Sequence, residues 1–252
     1  NNYTGDYLTV SANSIVENVT INANCSGNSS VILLNCVGEN TTVKGCTINA
    51  DITCNQTSSL LYIGGQNSVV ENCTINANIP SSQVDWDHTS LPKGIGVWIT
   101  GFYSTIRNNR FNFSESCILS DGTHRSLYGV YVRGINTNLY NNTLIVNGTQ
   151  YSYGFVVRAS QNRIYDNNIT VNSVYYSAGV NIEGNGMKNN YITNNFINVS
   201  AGFEQTDNGN PDVAYGCLIL DFSYGGGDYV ASISSMENNR YINNTVIADA
   251  RQ

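Results

Sequence analysis

Apolar and polar positions along this chain follow a phrase that occurs eight times. The phrase starts with an apolar residue or Tyr, continues through a charged or polar residue and Asn-Asn or a related pair, and ends in alternating apolar residues. Its copies begin at Val16, Val43, Val70, Ile106, Leu139, Ile164, Ile192 and Tyr241. Successive copies lie 27, 27, 36, 33, 25, 28 and 49 residues apart. A repeat of this length predicts structural units that stack on one another.

A second phrase lies between copies of the first and consists of an optional aromatic residue, Gly, and then apolar–x–apolar. Its regular copies cover residues 96–99, 129–132, 154–157, 179–182 and 216–219. Both phrases are short, alternate with a period of two and are rich in β-branched residues, so each repeat carries at least two strands. Pairing of like strands between repeats predicts an all-β parallel solenoid of about eight coils.

The recurring Asn residues have a structural explanation. An amide that faces inward must find hydrogen-bond partners, and stacked Asn side chains on successive coils can donate to and accept from one another. Asn also tolerates left-handed backbone at a bend. The pattern therefore predicts a column of Asn side chains at the bend between strands and not a ligand site.

The repeat runs through the whole chain, which predicts a single domain over residues 1–252. Insertions are expected at about 79–93, 114–127, 201–213 and 222–232. The net charge of −7 argues against nucleic acid or an anionic membrane surface as partner, because both require clustered Lys and Arg. No apolar run approaches the ~20 residues of a membrane-spanning helix, so no membrane insertion is expected.

The chain contains seven cysteines. Cys46 and Cys73 occupy the same position of the phrase and are predicted to be small buried hydrophobic residues, because neighbouring parallel strands rarely offer the dihedral of a disulfide. Cys25 and Cys54 both follow the phrase closely, at a turn, and are predicted to form a disulfide.

The Asn-rich repeat also creates many Asn-x-Ser/Thr sequons, most of them within the repeated phrase. Asn28, Asn55 and Asn147 lie outside the predicted Asn column. They are the predicted glycosylation sites if the protein is secreted where N-glycosylation occurs.

The two phrases together resemble the right-handed parallel β-helix of the pectin-lyase-like superfamily. The coils, rich in Thr, Asn and Tyr and poor in Lys, are most similar to the β-helix regions of adhesin-like surface proteins from methanogenic archaea. The resemblance covers essentially the whole chain but rests on a degenerate repeat, so it implies a fold more strongly than an activity. It implies an extracellular protein of the cell surface or envelope.

Substrates of β-helix enzymes lie along an outward-facing row of strand residues between loops. Alternation along the second phrase places Trp98, Tyr131, Arg133, Arg158 and Glu183 on such a row. Adjacent coils are ~4.8 Å apart, so Arg158 and Glu183 could pair, and the aromatic rings could stack on sugars. The alternative is a solvated strand face with one ion pair of little energetic consequence.

The first insertion flanks this row and adds Asp85, Trp86 and His88 as candidate ligand-binding residues. Asp85, Asp87 and Asp121 could share a Ca²⁺ ion if their insertions meet. No zinc site is expected, and no other cofactor is predicted.

We therefore expect an extracellular adhesin-like module that binds glycan or another cell surface and belongs to a longer surface protein with neighbouring domains. One alternative is a polysaccharide lyase or glycoside hydrolase that uses Arg133, Arg158, Glu183 and Tyr131. The catalytic motifs of β-helix enzymes are not present, which disfavours this alternative. The other is a structural stalk, which would have no use for long insertions.

Overall fold

The protein is a right-handed parallel β-helix of eight coils, as predicted. The computed structural model describes residues 5–27, 31–54, 58–80, 82–83, 94–115, 125–184, 186–202, 213–220, 222–223, 230–231 and 237–250. Three parallel sheets, called A, B and C, run along the solenoid, and each coil contributes one strand to each of them. Among the described residues, no helix is long and apolar enough to span a bilayer.

Each sheet takes its strands in order from coil 1 to coil 8. Sheet A contains Gly5–Val10, Val31–Cys36, Ser58–Ile63, Gly94–Ile99, Arg125–Val132, Tyr151–Val157, Tyr176–Glu183 and Val213–Leu220. Sheet B contains Ile15–Glu17, Thr42–Lys44, Val69–Glu71, Thr105–Arg107, Asn138–Tyr140, Arg163–Tyr165, Tyr191–Thr193 and Arg240–Ile242. Sheet C contains Thr20–Gly27, Thr47–Cys54, Thr74–Ile79, Arg110–Glu115, Thr143–Asn147, Asn168–Ser173, Phe196–Ala201 and Thr245–Ala250.

Two further short pairings are antiparallel. Ser82–Gln83 pairs with the coil 5 strand of sheet A, and Phe222–Ser223 pairs with Val230–Ala231. Most residues of the predicted insertions lie outside the described ranges, so the division of the chain into one domain with these insertions stays a prediction.

Each coil turns twice through a residue in left-handed backbone, where Asn and Gly are favoured. These residues have φ between 53° and 66°. The bend from sheet A to sheet B uses Asn13, Asn40, Asn67, Tyr103, Asn136, Gln161, Asn189 and Asn238. The bend from sheet B to sheet C uses Asn18, Gly45, Asn72, Asn108, Asn141, Asp166, Asn194 and Asn243.

The predicted Asn column is present just after the second bend, and we call it the Asn ladder (Asn109, Asn142, Asn167, Asn195 and Asn244). From Asn142 onward, each Oδ1 accepts hydrogen bonds from the backbone N–H and Nδ2 of the ladder residue one coil earlier, for example at 3.1 and 3.0 Å between Asn109 and Asn142. Oδ1 of Asn109 accepts from the backbone N–H of Cys73 at 2.8 Å. Each Nδ2 also donates to a backbone carbonyl, such as that of Ile106 from Asn142 at 2.9 Å. The buried amides are therefore satisfied along the ladder.

Core side chains on sheets A and C complement one another in size. On sheet A, the position of Leu60 in coil 3 is occupied by Gly96 in coil 4. On sheet C, the position of Ala77 in coil 3 is occupied by Phe113 in coil 4. A Cβ built on Gly96 would lie 2.3 Å from the Phe113 ring. The glycines of the second phrase therefore make room for large residues on the opposite sheet.

Cys46 and Cys73 are buried thiols, in agreement with the prediction for them. In sheet C, Cys25 lies opposite Ile52 and Cys54 lies opposite Gly27, so the two cysteines are two positions apart on neighbouring strands. The side chain of Cys54 lies outside the described residues, and the predicted disulfide stays a prediction.

Candidate functional site

The outward row predicted from the second phrase is present on the outer face of sheet A. The register places Trp98 opposite Tyr131, Tyr131 opposite Val156, and Val156 opposite Asn181. These side chains follow one another along the solenoid axis because parallel pairing keeps equivalent positions of successive coils in line. They lie apart from the main core, whose side chains fill the interior of the solenoid.

Charged residues form a second column on the same face, two positions further along each coil. Nε of Arg158 lies 2.6 Å from Oε1 of Glu183, so the predicted pairing is confirmed. Nδ2 of Asn181 donates to the other carboxylate oxygen at 2.7 Å. Arg133 belongs to this column and is exposed.

The solvated strand face considered from the sequence is wrong for most of this row. Tyr131 is 0% exposed, and the side chains of Arg158 and Glu183 are 17% and 5% exposed. The physical reason is a second apolar cluster outside the solenoid core, in which Tyr131 packs with Ile95, Tyr128 and Val156. The ion pair is therefore largely desolvated, and removal of either partner would leave a charge poorly compensated.

Three buried polar atoms on this face have no hydrogen-bond partner among the described residues. They are Nε1 of Trp98, Oη of Tyr131 and Oδ1 of Asn181. An unsatisfied buried donor or acceptor costs about 1–3 kcal/mol. All three atoms are shielded from solvent, and Tyr131 and Asn181 are 0% exposed, so a molecule bound at the surface does not reach them in this arrangement.

Sequence reasoning missed a line of tyrosines beside this row, which we call the tyrosine row (Tyr128, Tyr153, Tyr176 and Tyr215). Tyr128 and Tyr153 stack with ring centroids 4.9 Å apart, and the next two steps along the row are each 5.5 Å. Tyr176 comes from a neighbouring column, and its ring lies between those of Tyr153 and Tyr215 because the intervening position of their own column is Ala178. The row thus spans coils 5 to 8 without a break.

Exposure increases along the tyrosine row. Tyr128 is 9% exposed, Tyr153 and Tyr176 are half-buried, and Tyr215 is 39% exposed. Tyr128 also contacts Tyr131 edge to face, with centroids 5.9 Å apart, which joins the row to the buried cluster. The half-buried rings therefore pack against a buried cluster on one side and are exposed to solvent on the other.

The sequence did contain a signal for most of the tyrosine row. Tyr128, Tyr153 and Tyr215 directly precede the Gly of the second phrase, at the position described there as an optional aromatic. Tyr176 gave no such signal, because its place in the row depends on how its ring lies over the neighbouring coil.

At the end of the face nearer the N-terminus, half-buried Trp98 contacts Tyr62 edge to face with centroids 4.9 Å apart. The hydroxyl of Tyr62 lies 2.9 Å from Oγ1 of Thr100, within hydrogen-bond distance. Aromatic rings with a hydrogen-bonded polar end are typical of surfaces that combine stacking with polar recognition.

Burial alters the ionisation of the tyrosines on this face. Burial raises the pKa of Tyr131, although the guanidinium of Arg158 acts in the opposite direction. Burial also raises the pKa values of Tyr128, Tyr153 and Tyr176. These phenols stay protonated at neutral pH and can donate and accept hydrogen bonds, but none is suited to act as a general base.

The remaining predicted residues fall into two groups. Asp85, Trp86, Asp87, His88, Asp121, Asn28 and Asn55 lie outside the described residues. Asn147 is exposed on sheet C, where its Oδ1 accepts a hydrogen bond from Nδ2 of Asn172 at 2.8 Å, and its glycosylation stays a prediction.

No set of three or more His, Cys, Asp or Glu side chains able to hold a metal ion occurs in the described part of the chain. The Ca²⁺ site considered at Asp85, Asp87 and Asp121 lies outside that part. No protein-family model matches the chain, and no curated protein is similar to it in sequence. The function must therefore be argued from the surface itself.

Proposed function

We propose that the protein is an extracellular, adhesin-like binding module, and that the outer face of sheet A binds carbohydrate on another cell or surface. The observation that carries this proposal is the tyrosine row, whose rings follow one another at 4.9 to 5.5 Å over four coils. Sugar rings present flat C–H faces that stack on aromatic side chains. A continuous row of rings suits a chain of sugars better than a single small molecule.

Polar groups on the same face support this ligand class. The phenols of half-buried Tyr153 and Tyr176 and of exposed Tyr215 can both donate hydrogen bonds to sugar hydroxyls and accept them. Exposed Arg133 lies on the same face and offers a further polar contact. We also propose that the protein belongs to the pectin-lyase-like superfamily and is related to archaeal adhesin-like proteins, because it shares their β-helix and repeat. By this relationship it would be one part of a longer surface protein with neighbouring domains.

A glycan-array screen of the recombinant protein tests the proposal, with a depolymerisation assay on the same polymers. We expect binding without release of soluble products. Because Tyr131 is buried, its replacement would disturb the fold, so the informative variants are Tyr153→Ala and Tyr176→Ala. Each should weaken binding by about tenfold, which corresponds to the ~1.4 kcal/mol expected of one aromatic contact.

Tyr165→Ala is the matched control, because Tyr165 stacks on Tyr140 with centroids 4.8 Å apart but lies on sheet B. It should leave glycan binding unchanged. Equal losses in the control and in the tyrosine row would contradict the proposed face, and turnover of a polymer would favour an enzyme instead.

A further inference from the structure

A second surface with recognition chemistry lies on sheet B and on the bend that leads into it. In sheet B, Arg163 is directly opposite Asn138 of the previous coil and Tyr191 of the next coil. Tyr191 is in turn opposite Arg240, whose guanidinium carbon lies 6.0 Å from the Tyr191 ring centroid. Arginine and tyrosine thus alternate along an outward column of coils 6 to 8.

Arg163 has no counter-ion among the described residues. It is exposed and makes no ion pair or hydrogen bond with any described residue. By contrast, Arg107 on the same sheet is bound to Glu71 at 2.6 Å and to the hydroxyl of Tyr140 at 3.0 Å. The guanidinium of Arg163 therefore remains available for an anion from outside the molecule.

Arg163 lies in the wall between two shallow grooves. One groove of about 330 Å³ is lined by Arg163, Tyr165, Tyr191 and Thr193. A neighbouring groove of about 430 Å³ shares Arg163 and Tyr191 and extends to Tyr103. Side chains of a bound molecule could enter both grooves while one of its anionic groups contacts Arg163.

The far end of the second groove adjoins an exposed apolar corner. Phe102, Tyr103 and Ile135 are 45%, 57% and 36% exposed. They lie on adjacent coils, since the backbone N–H of Tyr103 donates to the carbonyl of Ile135 at 3.0 Å. Protein interaction sites are often rich in contiguous exposed apolar side chains together with Arg and Tyr.

Backbone conformation at this corner adds an independent observation. Tyr103 has φ of 58° at a bend where six of the other seven coils have Asn and the seventh has Gln161. A bulky residue in left-handed backbone costs roughly 1–2 kcal/mol. Such strain is concentrated at functional sites.

We propose that this surface binds a protein partner whose contacting segment presents a carboxylate to Arg163 and an apolar side chain to the corner of Phe102, Tyr103 and Ile135. The carboxylate of the partner is inferred from the positive charge of the exposed Arg163 guanidinium. The exposed apolar corner favours a polypeptide over a sugar. The surface is on a different face from the tyrosine row, so the proposal does not depend on carbohydrate binding.

Binding of the intact protein to an immobilised random copolymer of glutamate and tyrosine tests this proposal. Polyglutamate, which lacks apolar side chains, and hyaluronate, a glycan that carries carboxylates, serve as comparison probes. We expect the copolymer to bind more tightly than either. Arg163→Gln should weaken that binding by about tenfold, as expected for loss of a charge-assisted contact, and Phe102→Ser should reduce it toward the level of polyglutamate.

Arg110→Gln is the matched control, because Arg110 is an exposed arginine on sheet C. It should leave copolymer binding unchanged, and unaltered thermal unfolding should confirm that each variant is folded. The proposal is overturned if the copolymer does not bind, or if Arg110→Gln weakens binding as much as Arg163→Gln. Hyaluronate binding of equal strength that is lost in Arg163→Gln would also overturn it, because the site would then recognise a glycan.

Discussion

At the scale of single residues, Asn has two separate roles within one phrase. In coil 5, Asn141 has φ of 53° and turns the chain, whereas Asn142 points inward and joins the Asn ladder. The first role depends on backbone conformation and the second on a buried amide. Gly45 and Asp166 replace Asn in the first role, while Cys46 and Cys73 continue the ladder column in the early coils, where each thiol donates to backbone carbonyls.

Replacement of a ladder residue should be costly. Asn142→Ala removes the acceptor of two hydrogen bonds from Asn109 and the donor to the carbonyl of Ile106. Because the groups left behind are buried, we expect the free energy of unfolding in urea to fall by at least about 2 kcal/mol. The control is Asn49→Ala on the exposed face of sheet C, which should change it by no more than about 0.5 kcal/mol. Similar losses in both variants would show that burial of the amide is not the cause.

Buried thiols predict instability at alkaline pH. Burial raises the pKa of Cys36 to about 12 from an ordinary value of 9.0. The unfolded chain therefore releases this proton from about pH 9 upward while the folded protein retains it, so the contribution of Cys36 to stability is constant below that pH and falls above it. The buried tyrosines contribute in the same direction.

Urea unfolding at several pH values between 9 and 11 measures this effect. Cys36→Ala is expected to be less stable at pH 7 but to lose stability more slowly as the pH rises. The difference in slope should approach the limit for one proton, ~1.4 kcal/mol per pH unit. Equal slopes for the two proteins would contradict the assignment to Cys36.

At the scale of elements, the coils tolerate different core residues because sheets A and C vary together. The column Leu33–Leu60–Gly96–Gly129 on sheet A faces the column Ala50–Ala77–Phe113–Val146 on sheet C. Large residues on one sheet accompany small ones on the other, and the change occurs between coils 3 and 4. The volume of the core is thereby kept nearly constant along the solenoid.

This complementarity can be tested by exchanging the pair of coil 4 for that of coil 3. Phe113→Ala alone should cost about 3–5 kcal/mol because it leaves a cavity, and Gly96→Leu alone should be destabilising because its side chain would overlap the Phe113 ring. The double variant should be more stable than the sum of the single effects predicts, by about 1–3 kcal/mol of coupling energy. Additive losses in urea unfolding would contradict the proposed pairing of these positions.

The sequence predicted these elements well because the repeat encodes them locally. The positions of the phrases, the inward Asn column and the order of Trp98, Tyr131 and Arg158 on one face all follow from a period of two within strands and about 27 residues between coils. Burial of Tyr131 did not follow, because it depends on packing between outward side chains of different coils. The place of Tyr176 in the tyrosine row was missed for the same reason.

At the scale of the whole molecule, each coil contacts its neighbours through three strand pairs, so stability should depend on nearest-neighbour interfaces. Interior coils have neighbours on both sides. In coil 8 of the described chain, every residue of Thr245–Ala250 is exposed, including Val246 at 45% and Ile247 at 49%. The same positions in coil 7, such as Ile197 and Val199, are 0% exposed.

Amide hydrogen exchange should therefore vary along the solenoid and not be uniform. We expect at least about tenfold lower protection in coil 8 than in coils 4 to 6, since every residue of Thr245–Ala250 is exposed and local opening there uncovers less buried surface. Val246→Ala should lower protection in coil 8 and in the adjacent strand Phe196–Ala201, because Val246 packs beneath Gly216 and pairs with Ile197. The protection of Arg110–Glu115 in coil 4 should be the same in the Val246→Ala variant as in the unaltered protein. Equal loss of protection in all coils would mean that the solenoid unfolds as one cooperative unit, and nearest-neighbour coupling would then not describe it.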